Sequence, residues 1–257
     1  MADHPSTSDQ VDARYHAMYR IGGIALVLTG LAYAICFLLT LMIPASSGGA
    51  AAYLQATAGA EARVATLWVV YLLSDLLLIP AALALYFVLR ARSRALVPIG
   101  MGLVAAYIVF DLGVTEPNWL ALLSLAHSYS GAASVDQPLY VAAAQYGLAL
   151  VPFLNFLSFA VSGAGWFLVS VVMLRGIFGR RTAYFGIATM VMAFLAALSW
   201  FLPSLGLAII VCLAMFAVWC VLVGEQLYHL GITIAKSGDA PVGRQSSLTA
   251  PAGAGVN

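Results

Sequence analysis

VATLWVVYLLSDLLLIPAALALYFVLRARSRALVPIGMGLVAAYIVFDLGVT, residues 64–115, decides the fold. Two apolar runs, 64–89 and 95–115, flank Arg90, Arg92 and Arg94, and each run holds one charge, Asp75 or Asp111. A helix crosses the hydrocarbon core in about 20 apolar residues. The stretch is therefore a membrane hairpin turning on a basic loop. The same alternation continues in both directions. Residues 21–44 carry no charge, and none occurs from Gln137 to Leu174 or from Thr182 to Gly224, runs divided by Pro152 and Pro203. Spans are expected near 21–44, 64–89, 95–115, 154–175, 182–202 and 205–228. The fold class is all-α, a polytopic membrane bundle of six transmembrane helices.

Composition agrees. Hydrophobic residues make up 63% of the 257 and charged residues 8%, against roughly 25% charged in soluble domains. Ten of the eleven Lys/Arg residues lie in four clusters, Arg14/Arg20, Arg90/Arg92/Arg94, Arg175/Arg180/Arg181 and Lys236/Arg244, and only Arg63 falls elsewhere. Short basic loops stay cytoplasmic, so both termini are expected inside the cell membrane. A net charge of +1 points to no nucleic-acid partner. The basic loops are expected to meet membrane lipids at their headgroups.

One domain, 20–231, is expected between flexible cytoplasmic tails at 1–19 and 232–257. The first apolar run exceeds the roughly 7–15 residues of a signal peptide core, so it reads as a retained anchor despite the small residues Ala45–Ala50. Residues 116–153 are expected to form a helical hairpin on the outer face. Its pieces, to Gly131 and over 139–151, are bounded by Pro117, Pro138 and Pro152. Each is too short to span and too apolar for water. On the fourth span, Ser158 with Ser162 and Ala160 with Ala164 have the spacing of close helix packing.

Acids inside a bilayer are costly and call for a reason. Asp75 lies near mid-membrane, with Trp68 and Tyr71 on its helix face, and Pro80 frees the Leu76 carbonyl one turn away. On the third span Tyr107, Asp111, Thr115 and Asn118 form a polar stripe. Glu116, about 140° from Asp111 on an α-helix at about 100° per residue, sits at the interface, where it reads as a solvated side chain or as a third acid of the candidate site. The fourth span presents Asn155, Ser158, Ser162 and Trp166 on one face. Packed together, these stripes would line an outward-opening pocket for a largely apolar ligand.

Other chemistry is poorly supported. Cys36, Cys212 and Cys220 fall in spans and read as free thiols, the last two being about 12 Å apart along one helix. The histidines are scattered, and His127 with Ser128 and Ser130 lacks a nucleophile motif. No metal site and no cofactor is expected.

Short phrases across the core, YRIGGIALVLTG (19–30), IPAALALYFVLR (79–90), DLGVTEPNWLALLSLAHSYSGA (111–132), YVAAAQY (140–146), VMLRGIFGRRTAYFGI (172–187) and VWCVLVGEQLYHLG (218–231), give the chain a likeness. It resembles a large bacterial family of six-span integral membrane proteins known only as a domain of unknown function. That resemblance implies fold and membrane location and transfers no catalytic residues.

Three functions remain open. The first is binding or transport of a small amphipathic or lipid-like molecule, with Asp75 as a protonation site for coupling. The second is an intramembrane enzyme in which a carboxyl group protonates an isoprenoid or lipid while Tyr71, Tyr107 and Trp68 stabilise the cation. The third is a structural or regulatory subunit.

Overall fold

The structure, a computed structural model, describes residues 13–43 and 48–238. It is an all-α, multi-pass membrane bundle, 89% helical with no strand among the described residues. The helices are α1 (His16–Met42), α2 (Gly49–Gly59), α3 (Glu61–Leu89), α4 (Leu96–Phe110), α5 (Glu116–Gly131), α6 (Gln137–Met173), α7 (Arg180–Ser199) and α8 (Leu207–Gly238). A π-helical turn, Asp111–Thr115, joins α4 to α5 without a break. Six helices are long and apolar enough to cross a membrane. Helix α1 begins and α8 ends inside the stretches expected as tails. Residues 1–12 and 239–257, and the small-residue stretch 44–47, lie outside the described residues.

The outer hairpin is present, but its construction corrects the sequence reading. Neither Pro117 nor Pro152 breaks a helix. Pro117 follows the π turn directly, at the second residue of α5, and the helix runs on through it from Leu96 to Gly131. Pro152 lies inside the 37-residue α6, which rises about 55 Å at 1.5 Å per residue. That far exceeds a hydrocarbon core of roughly 30 Å. The hairpin arms are therefore continuations of the third and fourth spans. Helix α2, unforeseen in the sequence, packs on them through Ala50 and Leu54 against Leu122, Ala126, Ala144 and Val151.

The six spans close into a ring in the order α1, α3, α4, α6, α7, α8, each touching its two neighbours. One end gathers the arginines. Arg90 stacks over Phe87 and Tyr15, Arg20 over Tyr228, and Arg92 lies beside Gly176. Arg63, at the opposite end, donates to the Met42 carbonyl at 3.0 Å.

Toward the arginine end the ring is tight because glycines let backbones touch. A Cβ on Gly23 would lie 2.7 Å from the Gly224 carbonyl oxygen, and one on Gly224 would lie 2.7 Å from that of Gly23. Gly100 and Gly165 face each other likewise across α4 and α6. These glycines carry the close approaches of that layer. Above this packed layer Phe216 stacks on Trp219, and Trp166 meets Trp219 edge-on.

Candidate functional site

Above that aromatic floor the ring does not close. A cavity of about 330 Å³ occupies the hairpin half of the bundle and receives residues from all six spans. This is the lower end of the range of small-molecule sites. Its wall is mainly aromatic and aliphatic, including Tyr33, Trp68, Tyr71, Trp119, Trp166, Trp200 and Phe216. Trp68 stacks on Trp119 with ring centres 4.5 Å apart, and Tyr71 packs between Trp68 and Tyr33.

The polar side of the wall is built on the π turn. A π turn bonds residue i to i+5 and so aligns them; the Glu116 N–H donates to the Asp111 carbonyl. Asp111, Thr115 and Glu116 consequently point inward, while Gly113 and Val114 face outward. Glu116 is thus not the solvated interface residue that α-helical geometry implied. It is 2% exposed and lines the cavity beside Asp111. One oxygen each from Asp75, Asp111 and Glu116 lie within 4.8 Å of one another.

Two hydroxyl relays end on this trio. Tyr107 donates to Asp75 Oδ1 at 3.0 Å, and Tyr33 stands 3.4 Å behind Tyr107. Since the Tyr107 proton is engaged, Tyr33 is the donor in that pair. Ser158 donates to Asp111 Oδ1 at 2.5 Å, with Thr115 3.3 Å from Ser158. The same counting makes Thr115 the donor there. No such donor reaches Asp75 Oδ2 or Glu116 Oε2, both buried. Buried acceptors left without a partner cost about 1–3 kcal/mol each, more when charged.

Of the residues expected here, Trp68, Tyr71, Tyr107, Asp111, Asn155, Ser158, Ser162 and Trp166 all line the cavity. Asp75 sits directly behind Tyr107 rather than on the surface of the cavity. Asn118 does not join the stripe; its amide donates to the Gly147 carbonyl at 3.4 Å, tying α5 to α6. His127 pairs with Glu61 at 2.9 Å on an exposed face and takes no part. The sequence reading missed Tyr33, Thr40, Trp119, Trp200 and the α8 residues Cys212 and Phe216. Only the aromatic character of four of them could have drawn notice.

No known family model, curated protein or solved structure matches the chain. The likeness read from its short phrases gains nothing from them. Function must come from the geometry.

Chemically, the site can hold a molecule with an apolar body and a small polar end. The indole N–H groups of Trp119, Trp166 and Trp200 have no protein acceptor. No Lys, Arg or His lies among the lining residues, so carboxyl groups are the only ionisable acids or bases of the wall apart from phenols and one thiol.

Proposed function

We propose that this integral membrane protein binds a small amphipathic or lipid-like molecule in the cavity and passes it across or out of the membrane. The hairpin end faces outside and both termini lie in the cytoplasm, as the arginine-rich end demands under the positive-inside rule. The cavity itself carries the reading: about 330 Å³ lined by residues of six helices, aromatic on most sides and acidic on one. A merely structural bundle would collapse such a space, because protein interiors pack to near-crystalline density. The relay from Tyr33 through Tyr107 to Asp75 gives proton coupling a path.

Acid catalysis on an isoprenoid is a second reading. It is favoured by carboxyl groups standing beside the rings of Tyr33, Tyr71 and Trp68, which could stabilise a carbocation.

Native mass spectrometry tests the first reading. Wild type should release a bound organic molecule of a few hundred daltons, and Ser162→Phe, which fills the cavity, should release none. Equal occupancy in both would overturn it. Orientation is checked by Val135→Cys, at a loop position 79% exposed, which an impermeant maleimide should label from outside intact cells.

A further inference from the structure

We propose that Asp75, Asp111 and Glu116 form a binding site for one hard divalent cation of about the size of Ca²⁺, seated in the wall of the cavity. The donors are all oxygens, which hard cations prefer, and they come from three turns of two different helices, α3 and the α4–α5 junction. Ca²⁺ takes oxygens at 2.3–2.6 Å, so ligands on opposite sides of it stand roughly 4.6–5.2 Å apart. The oxygens of the trio, all within 4.8 Å of one another, fit that span. Mg²⁺, with oxygens at about 2.0–2.1 Å, would require the trio to draw inward.

A cluster of acids alone would not carry this. The second observation is the pair of buried oxygens, Asp75 Oδ2 and Glu116 Oε2, that no donor reaches. Their side chains are 1% and 2% exposed, and each carboxyl group contributes an oxygen to the trio. The nearby hydroxyls are already committed. Tyr107 serves Asp75 Oδ1 and Ser158 serves Asp111 Oδ1, so the unfilled acceptor capacity of the cluster rests on Asp75 Oδ2 and Glu116 Oε2. Both atoms are shielded from solvent. Three carboxyl groups also lack any cationic side chain on the cavity wall. A divalent ion with two ionised carboxylates and one protonated leaves the site neutral, which a low-dielectric interior favours. Because Asp111 and Glu116 line the cavity, the remaining coordination positions open into it, where water or a ligand oxygen completes the shell.

The π turn gains a purpose from this. Without it Glu116 would point away from Asp111, leaving two carboxylates where three are needed.

The test uses the full chain in detergent, stripped with EGTA and titrated with Tb³⁺, whose emission is excited through tryptophan; Trp68 and Trp119 line the same cavity. Wild type should show saturable emission from one ion per chain, displaced by Ca²⁺. Glu116→Gln and Asp75→Asn should each raise the apparent Kd at least about tenfold, or 1.4 kcal/mol, while Glu225→Gln on the exposed end of α8 leaves it unchanged. Glu116→Gln loses no hydrogen bond and keeps its shape, so its folding is not in question. Absence of saturable emission in wild type, or an unchanged Kd in Glu116→Gln, overturns the proposal. No organic ligand enters this titration, and Ser162→Phe leaves the trio in place. Failure of the cation site and failure of the ligand reading are therefore separable.

Discussion

The two halves of the bundle share a composition and differ in what they do with it. In the arginine half, helices meet backbone to backbone over Gly23, Gly224, Gly100 and Gly165, with no room for a methyl group. In the hairpin half, tryptophans, tyrosines and phenylalanines hold the same six helices apart around a cavity. Hydrophobicity does not distinguish them, because lipid solvates an apolar helix as well as a neighbouring helix does. Side-chain size and the placement of acids do. A membrane bundle closes where its facing residues are small and opens where large rings prop it, and here the opening coincides with three buried carboxyl groups.

The contrast breaks most severely at the glycines. Gly224→Leu would force its side chain against the Gly23 carbonyl and Leu26 Cβ, positions that even a Cβ would approach to 2.7 and 2.9 Å. A loss of about 3 kcal/mol or more is expected, read as a collapse of the folded fraction in detergent-titrated unfolding. A smaller effect is expected from the acids, and it should be unequal. Asp111→Ala strips the acceptor from Ser158, at about 1–3 kcal/mol. Glu116→Gln removes no hydrogen bond and should be neutral or stabilising, so equal losses from the two would refute the bonding scheme drawn here. Smallest is Gly102→Ala. Nothing lies within 4 Å of a Cβ there, so the substitution should stabilise by up to about 1 kcal/mol through helix propensity. Its sign, opposite to that at Gly224, shows that contact rather than glycine as such sets the cost.

Much of this was legible in the sequence because a bilayer makes polar residues conspicuous. Asp75, Asp111, Tyr107, Ser158 and Ser162 stood out from apolar runs, and their helical spacing put them on faces that do meet. The spans themselves followed from run length. Glu116 and Asn118 were misplaced for one reason: the reading assumed an unbroken α-helix, and the π turn reorients the residues after Asp111. No residue in Asp111–Thr115 announces that turn. Continuity through Pro117 and Pro152 was missed because proline is weighed locally, whereas a long packed helix tolerates it. Helix α2, GAAAYLQATAG, offers little hydrophobic contrast of its own; its order comes from packing on the hairpin. Tyr33 looked like any core aromatic until its hydroxyl was seen against Tyr107.

One helix carries the most direct test of an accessible cavity above a dry, packed layer. Cys212 and Cys220 lie on the same α8, both free and both buried. Cys212 lines the cavity, whereas Cys220 is sealed below the Phe216–Trp219 stack. Modification of the membrane-embedded protein by methyl methanethiosulfonate, followed by peptide mass mapping, compares their rates. The structure predicts that Cys212 reacts at least about tenfold faster, a difference of about 1.4 kcal/mol in barrier. Equal rates, or a faster Cys220, would contradict it.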